Sequence, residues 1–330
     1  MKSSIAFFFL IVLMFQSCNL SNSHTWVNDH IEKTKRDEIK KLNDQLVKAM
    51  ANNDVANLKM LVSDKLREKG GKSLDTLVNQ ISTVMKADSY KVLDEFNVLN
   101  SAYNVASSLP SSETGDNAFT INFLSLNKEM YASLLLPDDS KNNLMIVAIY
   151  GKYADKWLLN ILEIGQYNYF GKNAIDYYKL AKSDYANSHL IDAVDNISIA
   201  KECLRPGNNY FHYKKEEEIN KFYDKIIQEA NAKYVLPLTL ENIESKPQIF
   251  NVRPQVFSDG IFPTVSYIST INLKDTVALK NENDKIKKEV DRIFIGIDQS
   301  KKFVFYQAFN EMPDGKKILS HYGFMEQFSN

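Results

Sequence analysis

Apolar and polar residues follow two different periods along this chain, and the change from one to the other divides it. An unbroken apolar run covers residues 5–15, and a polar stretch without clear period covers 19–28. Then Ile39, Leu42, Leu46, Val47 and Met50 recur at helical spacing. Asp54 is placed to cap a short second helix carrying Val55, Leu58, Leu61 and Val62. Gly70-Gly71 breaks the pattern, and Ser73 predicts the cap of a third helix with Leu74, Leu77, Val78, Ile81, Val84 and Met85. From Tyr90 the period falls to two. Strands are predicted at 90–98, 102–109, 118–126, 130–136, 144–153 and 157–166, with turn-forming residues between several of them. Such short connections imply antiparallel pairing, since a parallel crossover needs a dozen or more residues. Helices followed by strands give an α+β unit over 35–170, with the helices on one face of a curved sheet.

A second unit, 171–236, reads as helical throughout. Asn173 is placed to cap a helix reaching Ala186, a second helix covers 189–204, and Arg205-Pro206-Gly207 stops it. A third helix at 216–234 carries Ile219, Phe222, Tyr223, Ile226, Ile227 and Ala230 toward a core. The last stretch, 237–330, alternates again at 248–257 and 264–273. A charged helix follows at 276–291, then a meander of strands at 293–297, 303–309 and 318–324. This predicts a small antiparallel α+β sheet with a helix across one face.

Composition adds a few exclusions. With 40 Lys and Arg against 41 Asp and Glu, the formal charge is −1, so no basic field for nucleic acid exists. Neighbouring charges such as Lys214-Lys215-Glu216-Glu217-Glu218 describe a solvated helix face. The apolar run at 5–15, preceded by Lys2, is too short for a stable membrane span of roughly 20 residues and matches a signal-peptide core. Phe15-Gln16-Ser17-Cys18 follows it. This resembles the lipobox of bacterial lipoproteins, in which the cysteine is acylated and becomes the first residue. The resemblance implies a signal peptide over 1–17, lipid on Cys18, a tether over 18–34 and residence at the cell envelope. An ordinary secretory signal cleaved nearby is the other reading. With Cys18 lipidated, Cys203 is left without a partner, and a buried thiol on a helix is expected.

Two further resemblances rest on element order and residue pattern. Helices followed by antiparallel strands, ending in the pair at 144–150 and 157–164, resemble the NTF2-like (cystatin-like) cone fold over about 35–169. In the helical unit Tyr178, Leu180, Ala181, Tyr185, Ala193 and Ala200 resemble the positions of one tetratricopeptide repeat, with Pro206 about one residue late. Small residues are needed there so that two helix axes approach closely.

A search for chemistry is mostly negative. There is no phosphate-binding glycine loop, no nucleophile elbow, and no histidine or cysteine pair at metal-ligand spacing. No catalytic residue, metal or cofactor is therefore assigned. Tyr103, Tyr131, Tyr150 and Tyr153 are candidates to line a cone pocket, without an assigned role. Tyr210-Phe211-His212-Tyr213 is the candidate interaction surface, against the plainer reading of an aromatic cluster that seats the next helix. The 17 tyrosines and 19 phenylalanines suit either a carbohydrate or peptide surface or the cores and domain interfaces. Three functions follow in order: a membrane-anchored scaffold binding an envelope protein, a carrier or sensor of an apolar ligand or glycan in the cone, and an enzyme of unfamiliar design.

Overall fold

The computed structural model of the chain describes residues 23–138, 143–297 and 301–328. Cys18 and the segment 1–22 lie outside them. The fold is α+β. Strand β1 (His24–Val27) leads into α1 (Lys33–Ala51), α2 (Val55–Leu61) and α3 (Asp64–Val84). Strands β2 (Tyr90–Leu99), β3 (Val105–Pro110), β4 (Phe119–Ser125), β5 (Glu129–Pro137), β6 (Leu144–Tyr153) and β7 (Lys156–Gln166) follow. A small ribbon of β8 (Asn168–Tyr169) and β9 (Lys172–Asn173) opens the helical stretch of α4 (Ala174–Ala186), α5 (Leu190–Glu202), β10 (Phe211–Tyr213) and α6 (Glu216–Lys233). The chain ends with β11 (Leu238–Thr239), β12 (Gln248–Phe257), β13 (Gly260–Ile268), α7 (Thr276–Ile293), β14 (Phe303–Phe309) and β15 (Tyr322–Gln327).

The central sheet is antiparallel throughout, in the order β1-β2-β5-β6-β7. Bulges between Val92 and Asp94 and between Ile149 and Tyr150 bend two of its strands. Both faces are buried. Toward one side point Tyr131, Leu135, Ile146, Ala148, Tyr150 and Leu159, meeting Ile39, Leu46, Met50, Leu58 and Val78 of α1–α3. Toward the other point Met130, Ala132, Leu134, Met145, Val147 and Ile149. That second core runs on without a break through Phe119, Ile121 and Phe211, through α4–α6, and into the last sheet. There Val265, Tyr267, Val304 and Tyr306 pack with Leu279, Ile286 and Val290 of α7.

Caps and close approaches fix the joints. Asp54 accepts from the Asn57 amide at 3.0 Å and starts α2. Asn173 and Asp176 form a reciprocal capping box at the start of α4. Ala181, Ala193 and Ala200 are fully buried, as a close helix crossing demands. Tyr177 and Tyr178 are buried at the join with the sheet, and the Tyr177 hydroxyl donates to the Tyr169 carbonyl at 3.0 Å. Gly165 on β7 lies under the turn at Pro206, where a Cβ would stand 2.6 Å from the Pro206 carbonyl oxygen.

Several elements depart from the sequence expectation. Helix α3 runs through Gly70-Gly71 and is capped by Ser63, whose hydroxyl accepts from the Leu66 amide at 3.3 Å; Ser73 lies inside it. Two glycines cost a helix about 1 kcal/mol each, and the burial of Leu74 and Val78 on the sheet outweighs that. The expected tether over 18–34 is partly folded: β1 pairs with β2 and Ile31 is buried. The third strand starts at Val105, after Asn104 takes a left-handed turn at φ 59°. Residues 293–297 form no strand, because α7 continues to Ile293 and Gly296 turns the chain at φ 93°. Consequently the last sheet is mixed and not antiparallel. Strands β13 and β14 run parallel, with α7 as the crossover between them, in the order β11-β12-β13-β14-β15. The final strand begins at Tyr322, and Ile318 is fully exposed.

Candidate functional site

Residues 210–213, the candidate surface from sequence, turn inward. Phe211 and Tyr213 are buried, and β10 adds to β4 as the outer strand of a three-stranded sheet, β10-β4-β3. The Phe211 ring stacks on Phe119 at 4.5 Å between centroids. Tyr210 and His212 are half-buried. His212 is held on both ring nitrogens, Nδ1 by Glu216 Oε2 at 2.9 Å and Nε2 by the Asn209 carbonyl at 2.9 Å. Arg205 Nε donates to the other Glu216 oxygen at 2.6 Å. This cluster seats α6, and two of its four members offer a partner nothing. Cys203 is buried as expected, and burial pushes its thiol up to about 12, which keeps it protonated and inert.

Between helices and sheet the side chains of the first core pack together, and a polar cleft stays open at the rim. A cleft of about 530 Å³ lies between one stripe of α1 and the start of β2. Lys33, Arg36, Asp37, Lys40 and Asp44 line one wall, and Tyr90, Val92 and Glu95 the other. Its cations are already engaged: Lys33 with Asp37 at 2.7 Å, Lys40 with Asp44 at 2.7 Å and Arg36 with Asp29 at 2.5 Å. At the floor, buried Asn43 donates to Ser133 Oγ at 3.1 Å and accepts from the Tyr150 hydroxyl at 2.9 Å. The Tyr131 hydroxyl donates to Glu95 at 2.6 Å. Burial raises the Glu95 carboxyl above its usual range, while Tyr131 and Arg36 pull it back. Of the other candidate tyrosines, Tyr153 donates to Asn160 at 2.8 Å and Tyr103 is exposed at the surface. The cleft thus sets a partly desolvated carboxyl above a hydrogen-bonded floor.

A second surface was not marked by any local sequence motif. On the last sheet, strand register puts Arg253, Gln255 and Phe257 of β12, Phe262, Thr264 and Ser266 of β13, and Phe303, Phe305 and Gln307 of β14 on one face. Phe250 and Phe309 extend it, in edge contact at 5.6 Å. Their rings touch one another: Phe257 stacks on Phe305 at 4.1 Å, and Phe262 meets Phe303 at 5.2 Å. None of these six phenylalanines belongs to, or packs against, either apolar core. The face also carries the exposed Met325 of β15 and no carboxylate at its paired positions. Thr264 donates to Gln255 Oε1 at 3.2 Å and Ser266 to Gln307 Oε1 at 3.3 Å.

Among the described residues no group of three His, Cys, Asp or Glu is placed to hold a metal, and no helix is long and apolar enough to cross a membrane. No protein-family model matches the chain, and neither a curated protein nor a solved structure was found to resemble it.

Proposed function

We propose that this protein is a membrane-anchored binding module of the cell envelope, held by lipid on Cys18, which docks an envelope protein through the phenylalanine face of its last sheet. The observation that carries this reading is that face: a cluster of four touching rings and a second pair on the same sheet, outside both cores. Phe262, Phe303 and Phe309 are buried within the layer, while Phe250, Phe257 and Phe305 keep part of their surface in solvent beside the exposed Arg253 and Met325. Apolar surface gathered outside a core marks an interaction site. Phenylalanine, methionine and arginine are also the residue types that interface centres favour. The likeness of α4–α5 to one tetratricopeptide repeat supports an interaction role, as does the likeness of the N-terminal unit to the NTF2-like fold, which serves binding modules among other uses. A photoreactive residue at Arg253 tests it in intact cells. Adducts to another chain, lost with Phe305→Ser and absent from the same probe at Met60 on α2, are expected. Equal labelling from both positions would sink the reading. Membrane recovery that survives Cys18→Ser removes the anchor.

The polar cleft supports a second reading, a sensor of a small polar ligand. Glu95 and Arg36 on opposite walls supply a donor or acceptor at each side. Thermal-shift screening with small zwitterions, repeated on Glu95→Gln, decides it: a shift in the wild type that the variant loses supports the sensor.

A further inference from the structure

The last sheet ends in an edge without the usual guards. Strand β15 is outermost, and among the described residues no backbone hydrogen bond reaches it from the far side. Its sequence, Tyr-Gly-Phe-Met-Glu-Gln, has no lysine, arginine or proline, and Gly323, Met325 and Gln327 are exposed. Other edges in the molecule are managed. The free length of β12 carries Arg253, Pro254 and a bulge after Ile249. Strand β3 ends in Pro110, β7 is met by Val62, and β11 is two residues long. Charge, proline, bulges and brevity are how natural sheets refuse extra strands. On β15 proline, bulge and basic residues are missing, and its one charge, Glu326, is turned to the α7 face and bonded to Tyr306.

We propose that β15 pairs with the β15 of a second copy of this chain, antiparallel about a two-fold axis. An isologous contact needs a self-complementary strip, and this one qualifies. With Met325 opposite its own copy, Gly323 faces Gln327 and Phe324 faces Glu326, so every opposed pair shares a sheet face. The only charge, Glu326, sits on the α7 face, accepts from the Tyr306 hydroxyl at 3.0 Å, and meets no second carboxylate. Two five-stranded sheets then run on as one, and the two phenylalanine layers join into a single face. A strand from another protein is the competing occupant; the self-opposed register, which brings no two like charges together, favours a second copy.

Sedimentation equilibrium of the purified protein tests this. The mass is expected to rise from one chain to two with concentration. Met325→Lys sets two ammonium groups face to face and is expected to weaken the dimer on the order of tenfold or more. Val277→Lys, on the exposed side of α7, is expected to leave it unchanged. Under mild oxidation Met325→Cys is expected to link two chains, and Val277→Cys is not. A single-chain mass at every concentration overturns the proposal and leaves the edge to a foreign strand. A dimer indifferent to Met325→Lys overturns it as well.

Discussion

Strand β6 is buried on both faces, with Met145, Val147 and Ile149 toward the helical unit and Ile146, Ala148 and Tyr150 toward α1–α3; β14 packs only one face into a core. In β14 that is the face of Val304, Tyr306 and Ala308, while Phe303, Phe305 and Phe309 form a layer of their own. By sequence the two strands look alike, since each is a nearly continuous apolar run. Such a run ordinarily means that both faces are covered. The difference therefore lies in what the rest of the chain supplies. Six helices and a small sheet enclose β6, whereas the last sheet is met by α7 and by α5 against β12. An apolar run whose second face joins neither core is a place where the chain has room for something else.

Core truncation should separate the two regions most sharply. Leu134→Ala and Leu135→Ala point to opposite faces of β5, and both are fully buried. Each is expected to cost about 2–5 kcal/mol in denaturant unfolding. A small loss on one side only would break the claim that this sheet is sealed twice. The next effect concerns pH. Asp195 on α5 is fully enclosed near Lys301 and Asp192, and burial pushes its carboxyl up to about 8 from an ordinary 3.8. The folded chain holds a proton that the unfolded chain has released between those values. Stability from this group is complete below 3.8 and is lost as pH rises through about 8, at up to about 1.4 kcal/mol per pH unit. Asp195→Asn should flatten that slope in melting curves and leave the variant more stable than the wild type in alkaline buffer. An unchanged slope would place the proton elsewhere. Smaller still is Asn173→Ala, which removes the capping box of α4 and is expected to cost about 1 kcal/mol. The least effect on folding belongs to Phe305→Ser, about 1 kcal/mol or less, together with loss of partner adducts. If it instead unfolds the protein, the phenylalanine layer is a core and the comparison with β6 collapses.

Much of the architecture was legible in the sequence, because periods of 3.6 and 2 report burial directly. The caps at Asp54 and Asn173, the helices of the central unit and the strands from Tyr90 to Gln166 follow from local chemistry alone. What stayed hidden depends on distant partners. Gly70-Gly71 looks like a break, and only packing against the sheet carries α3 across it. The order of strands around α7 turns on whether 293–297 pairs with anything, and Phe294 and Ile297 are buried without being a strand. For the binding surface the failure is instructive. Four adjacent aromatics at 210–213 drew attention, yet Phe211 and Tyr213 complete a sheet with β4. The phenylalanines that do share a surface are spread from Phe250 to Phe309 over three strands. A usable signal existed in Phe303, Phe305 and Phe309, alternate positions of one strand, together with Phe257 and Phe262 flanking one hairpin turn.

The unbroken core that starts under Phe96 and ends under Tyr306 also sets how this molecule comes apart. Calorimetry should record one cooperative peak for everything from the central sheet to the C-terminal one, with no stable fragment released by a protease cutting near 170 or 236. Only α1–α3, whose apolar contacts lie on the opposite face of the sheet, can loosen alone. Amide exchange should find that layer opening first, peeled from a body that otherwise melts as a whole.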